Sequence, residues 1–217
     1  MPYCQVGQAP LSPDKNIKLT IENPRGIVFA DRGGDTMTKR KMKTNDLAYI
    51  GLFAVLIVVC SWISIPFLVP FTLQTFAVFV TLRLLGGKRG FIAIVVYIML
   101  GAIGLPVFSG FKGGLGALLG VTGGYIIGFL VCAAAYWLIT KFFGEKLHTV
   151  IIALLVGLIL CYAFGTVWFV VVYASTTGPI GFSAALGMCV VPFILPDLVK
   201  MALALLIAKR LEPYRKL

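Results

Sequence analysis

Charge is what this sequence has least of, and negative charge above all. Its 217 residues contain 8 Asp+Glu and a single His, and only 12% are charged, about half the share usual in soluble proteins. An ordinary cytosolic globule is thereby excluded. The common marks of hydrolytic and nucleotide chemistry are missing as well. There is no HExxH for a metalloprotease, no GxSxG for a serine hydrolase, and no glycine-rich loop ending in GKS or GKT for a nucleotide phosphate. The five cysteines, Cys4, Cys60, Cys132, Cys161 and Cys189, form no CxxC or other metal-ligand spacing. Four lie in apolar stretches, where Cys behaves as a small hydrophobe, so free thiols are expected. The chain opens with no basic, apolar and small-residue pattern of a secretory signal.

What is present is apolar. Hydrophobic residues make up 59% of the chain and the mean hydropathy is +0.99, more apolar surface than a core of this size can hide from water. The sequence therefore reads as an all-α integral membrane protein. Its net charge of +11 would suggest nucleic acid in a soluble protein. Here the basic residues mark membrane topology, and no nucleic-acid partner is expected.

Residues 1–43 are polar, punctuated by Pro10, Pro13, Pro24, Gly33 and Gly34, and read as a disordered extension. Met37 and Met42 are alternative starts, and a vector leader or an upstream start codon would account for part of it. The membrane domain, 44–217, divides into six apolar blocks: 47–65, 72–86, 90–105, 121–143, 149–173 and 183–208. A span needs about 20 helical residues, so the second and third are short. Lys39, Arg40, Lys41 and Lys43 precede the first block, Lys88 and Arg89 join the second and third, and Lys141 and Lys146 join the fourth and fifth. Lys209, Arg210, Arg215 and Lys216 follow the sixth. All fall on one side, which predicts cytoplasmic termini and three outer connections, whose one charged residue is Lys112.

Three segments carry the candidate chemistry. The sixth block contains Pro192, Pro196, Asp197 and Lys200, an acid and a base three residues apart on one helical face. An ionised group at mid-membrane costs about 2.5–3.5 kcal/mol on insertion scales, so neither is expected to face lipid. The pair reads either as an internal ion pair that orients the helix or as the polar floor of a pocket. The two prolines favour the pocket, since each frees a carbonyl for another partner. The second segment, from Gly101 to Gly128, holds ten of the 24 glycines and can fold tightly over a small molecule. Within it Gly116, Gly120, Gly124 and Gly128 recur every four residues, and for the last three close helix packing is the stronger reading. In the third segment, from Ile65 to Phe76, Thr72 and Gln74 offer neutral hydrogen-bonding groups beside Pro66 and Pro70. Phe67, Phe71 and Trp62 read equally well as an aromatic belt or as ligand contacts. Arg83 is expected to snorkel as an anchor and His148 to be solvated. Arg83, Asp197 and Lys200 are too few for gating charges or a proton relay.

In these segments the chain resembles the BioY family, the biotin-binding S components of energy-coupling-factor (ECF) vitamin transporters. The motifs are Val69-Pro70-x-Thr72-x-Gln74-Thr75, then Gly101-Ala102-x-Gly104-Leu105-Pro106-Val107-Phe108, Gly113-Gly114-x-Gly116 and Gly120-x-x-Gly123-Gly124-Tyr125, and lastly Pro196-Asp197-x-x-Lys200. The resemblance covers about 44–212 and implies a six-helix S-component fold in a bacterial inner membrane. Its biotin pocket would face outward, without cofactor, metal or catalytic residue. It further implies that Asp197 and Lys200 serve the ureido head and Lys112 the valerate carboxylate. Gln74, Thr72 and Tyr125 would be further contacts, and Gly113 and Gly114 would let a lid pack on the thioether ring. A T protein and two ABC-type ATPases are the implied partners, alongside the lipid bilayer. S components often dock the T protein through Ala-x-x-x-Ala on helix 1, where this chain has Ile50-Gly51-Leu52-Phe53-Ala54. Carriers of another vitamin, a stand-alone biotin carrier, a membrane-embedded enzyme and a purely structural bundle are the alternatives.

Overall fold

The computed structural model describes residues 44–66, 69–176, 178 and 181–211. The extension 1–43, Phe67, Arg215 and Lys216 lie outside the described residues. The long helices are α1 (Thr44–Trp62), α2 (Gln74–Ala102), α4 (Gly123–Phe143), α5 (Leu147–Thr176) and α7 (Val191–Leu211). Short helices α3 (Leu115–Leu119) and α6 (Phe182–Cys189) and a 3-10 turn at Ser109–Phe111 fill connections. A two-residue hairpin, β1 (Ser64–Ile65) with β2 (Phe71–Thr72), straps the chain between α1 and α2. The apolar reading of that stretch did not anticipate this hairpin.

Helix α2 is not straight. Gly86 adopts φ 76°, ψ 174°, a left-handed region closed to most L-residues, and the helix doubles back there. Gln74 and Tyr97 are hydrogen-bonded at 3.0 Å, whereas 23 residues of straight helix would separate them by roughly 34 Å. The predicted second and third blocks are thus the two arms of α2, and Lys88 and Arg89 lie just past the turn. At the same end Arg89 pairs with Asp46 of α1 at 3.0 Å. Arg83, expected to reach the interface, is instead buried.

The sixth block is also interrupted. Val190, at φ −120°, ψ −54°, separates α6 from α7, so Pro192 sits in the first turn of α7, where its missing N–H breaks no intrahelical bond. Only Pro196 lies inside the helix, and it alone removes a donor there.

Pieces of every long helix meet in one core that includes Ala54, Ile57, Phe79, Tyr97, Ala133, Tyr136, Leu154 and Ala204. A smaller cluster of Val69, Tyr125, Phe169, Ala185 and Cys189 lies beside it. Helices α4 and α5 pack most extensively, and their contact is built from small residues. A Cβ at Gly124 would lie 2.2 Å from Trp168 Cβ, and one at Gly128 would lie 2.8 Å from Cys161 Sγ. Gly157 and Gly165 of α5 receive Cys132 and Tyr125 in return. Without water to drive helices together, such close backbone approach supplies the contact. Gly120, read as part of the same stripe, also meets α5: Trp168 Nε1 donates to its carbonyl at 3.1 Å. Away from the core the helices are apolar outward, with Leu52 at 63% and Leu195 at 73% exposure, as a lipid-facing surface requires.

Candidate ligand site

The buried face of α7 runs Asp197, Lys200, Met201, Ala204 and Ala208, and its two charged members stand at the floor of a cavity of about 680 Å³. Asp197 and Lys200 are 3% and 5% exposed. Lys200 Nζ donates to Asp197 Oδ1 at 2.8 Å and to the Thr72 carbonyl at 2.7 Å, and it lies 4.1 Å from the centre of the Phe71 ring. The Tyr162 hydroxyl donates to the second carboxylate oxygen, Asp197 Oδ2, at 2.6 Å. Each oxygen of Asp197 thus has one charge-assisted partner, and the carboxylate keeps lone pairs to offer a ligand. A buried ion pair is worth keeping only when such extra hydrogen bonds satisfy it.

The walls come from four further elements. Gln74, at the start of α2, donates to the Tyr97 hydroxyl at 3.0 Å. Tyr125 of α4 shares a 3.1 Å hydrogen bond with Thr166 of α5. Phe129, Leu158 and Phe193 make the wall apolar, and Cys161 and Cys189 bring thiols to it. The remaining side is the loop after α2, where Lys112 and Gly116 are exposed and Ser109 and Gly120 half-buried. The cavity therefore has a buried, charged floor and an open rim, with the volume of a small-molecule site.

Anchors on α1 and α2 hold that loop. Trp62 Nε1 donates to the Pro106 carbonyl at 2.8 Å, and Ser61 lies within hydrogen-bond reach of the Val107 carbonyl at 2.5 Å. Phe108 is buried edge-on against Tyr97, and Phe111 stacks obliquely on Trp62 at 5.1 Å. Trp62 is therefore tied to the loop. Gly114, at φ 84°, donates its N–H to the Gly101 carbonyl at 2.7 Å.

Seven of the eight residues singled out from the sequence line the cavity: Asp197, Lys200, Lys112, Gln74, Thr72, Tyr125 and Gly113. Gly114 is not among the lining residues; it shapes the loop instead. Thr72 reaches Lys200 through its backbone carbonyl, while its hydroxyl accepts the Gln74 N–H at 3.3 Å. Sequence reasoning missed Tyr162, because a tyrosine in an apolar helix reads as core. It left Phe71 undecided, and it weighed Gly120 toward packing, where that glycine both receives Trp168 and lines the cavity. Among the described residues the four cysteines are free and buried, as expected.

The family model described as "BioY family" matches residues 37–216. The chain belongs to the BioY family. A Thermotoga maritima protein named biotin transporter BioY is 42% identical over 163 residues, covering 75% of this BioY chain and 92% of the relative. A Pyrococcus horikoshii protein named probable biotin transporter BioY is 39% identical over 172 residues, covering 79% and 98%. A 2.1 Å crystal structure of the S-component for biotin from an ECF-type ABC transporter matches with a TM-score of 0.69 at 29% identity, covering 79% of this chain and 95% of that one. The S-component fold is therefore shared, and the floor of this BioY chain's cavity falls within the residues 37–216 that the family model matches.

Proposed function

We propose that this chain is the biotin-binding membrane subunit, or S component, of a vitamin uptake system. The observation that carries this reading is the buried Asp197–Lys200–Tyr162 floor in a cavity of ligand size, within a chain of the BioY family. The ureido ring of biotin carries two N–H donors and one carbonyl. Asp197 accepts from the donors and Lys200 donates to the carbonyl, a complementary set. Phe193, Leu158 and Phe129 cover the apolar thioether ring. Gln74, Tyr125 and Thr72 complete the wall, Gly113 lets the lid approach, and the valerate carboxylate lies toward Lys112.

The two arms of α2, with α1, α4, α5 and the α6–α7 pair, make six crossings of a bacterial inner membrane. Both termini lie on the cytoplasmic side and the cavity opens outward. Transport energy comes from a T protein and two ABC-type ATPases, and the subunit releases its ligand chemically unchanged. For docking the T protein, Ala54 is unavailable, being 1% exposed. Gly51 is exposed, with open space where a side chain would stand, so the outward face around Gly51 is the contact.

Membranes containing the protein are expected to retain labelled biotin, and excess unlabelled biotin but not thiamine or riboflavin should displace it. Displacement by a different vitamin would assign the S component to that ligand. Co-expression with the host's T protein and ATPases should raise uptake; equal uptake without them would make the protein a stand-alone carrier.

A further inference from the structure

Resting on the biotin reading above, we propose that the site reads the ring system and leaves the carboxyl end nearly unread. Carboxyl-substituted biotins, in which the valerate is an amide of ammonia or of a lysine side chain, are then ligands of the same cavity.

Burial is the first ground. The groups at the floor are 3% and 5% exposed, whereas Lys112, the cation at the rim, is exposed. A buried charge-assisted contact discriminates strongly, because its loss leaves a desolvated group without a partner. An exposed ion pair competes with water and salt and changes an equilibrium by less than about tenfold.

Charge sets the direction in which the ligand lies. A carboxylate pushed to the floor would meet the Asp197 carboxylate, and Lys200 is already engaged by Asp197 Oδ1, the Thr72 carbonyl and the Phe71 ring. Two carboxylates sharing one ammonium in a buried site repel. The neutral ureido ring suits the floor, and the acid is left at the rim.

The rim also has room. Gly116 lines the cavity, is exposed, and would carry a Cβ with nothing within 4 Å. A chain extending from the valerate past Lys112 and Gly116 passes into open space rather than into backbone.

Calorimetry on the full chain in detergent tests this with three probes: biotin, biotinamide and Nε-biotinyl-lysine. Both amides are expected to bind within tenfold of biotin, and Lys112→Gln to weaken biotin by less than tenfold while bringing it level with biotinamide. Lys200→Ala should weaken all three alike. A loss of more than tenfold for either amide, with biotin itself bound, would overturn the inference and place the carboxyl against a discriminating group. Failure of all three to bind protein that still shows a cooperative melting transition would overturn the biotin reading together with it.

Discussion

At the scale of single residues, Tyr162 separates a ligand site from a plain ion pair. Its hydroxyl, 2.6 Å from Asp197 Oδ2, holds the carboxylate from the side opposite Lys200. A hydrogen bond to a charged group is worth about 1.5–3 kcal/mol. Tyr162→Phe is therefore expected to weaken biotin binding roughly 10- to 100-fold and, since the bond is present without ligand, to lower the melting temperature by a few degrees. An unchanged dissociation constant would show that Lys200 alone orients Asp197. Asp197 and Lys200 were legible in the sequence because a charge inside an apolar helix has few structural excuses. Tyr162 was not, since nothing in an apolar run distinguishes a tyrosine whose hydroxyl meets a carboxylate from one that fills space. Arg83 was misjudged for a related reason. Its nearness to the span end suggested snorkelling, whereas which side of a helix faces protein depends on neighbours that one sequence does not display.

At the scale of elements, the extent of the apolar blocks located the helices to within a few residues, yet two interruptions carry more meaning than the boundaries. The turn at Gly86 was foreseen only as a charged connection at Lys88 and Arg89. The structure puts the reversal in a backbone conformation that glycine tolerates, φ 76°. Gly86→Ala is expected to cost about 1–3 kcal/mol of stability, read as a melting transition lowered by several degrees in detergent. A melting temperature equal to wild type would mean that the turn relaxes without strain. The break at Val190 had one trace in the sequence, Pro192, which suits the first turn of a helix, but apolar residues on both sides let the block read as one span. The four-residue glycine spacing was read correctly at Gly124 and Gly128 and in part at Gly120, which meets Trp168 of α5 and also lines the cavity. Spacing identifies a face, but only the neighbouring helix decides what meets it. Gly124→Ala, whose new methyl would stand 2.2 Å from Trp168 Cβ, is expected to loosen the α4–α5 contact by about 1–3 kcal/mol. Thermal unfolding measured with and without biotin would check this, and an unshifted midpoint in both would contradict it.

At the scale of the whole molecule, the one-sided distribution of Lys and Arg predicts the orientation. Single cysteines placed at positions 109 and 88 of a cysteine-free protein test it in intact cells. The first is expected to react with a membrane-impermeant maleimide and the second only after permeabilisation; the reverse pattern would invert the orientation. Docking belongs to the same scale. Gly51→Leu fills the exposed gap on α1 and is expected to reduce co-purification with the T protein while leaving biotin affinity unchanged. The cavity itself could be read from the sequence only in parts, since its lining comes from segments more than a hundred residues apart, as the Lys200 to Thr72 contact shows. The buried charged floor as the reader of biotin is the central claim, and calorimetric titration of purified protein with biotin, wild type beside Asp197→Asn, tests it most directly. Asn can accept on one side only and leaves Lys200 without its counter-charge. One-to-one binding by wild type and a loss of at least about 100-fold in the variant are predicted, whereas equal binding by both folded proteins would contradict the account.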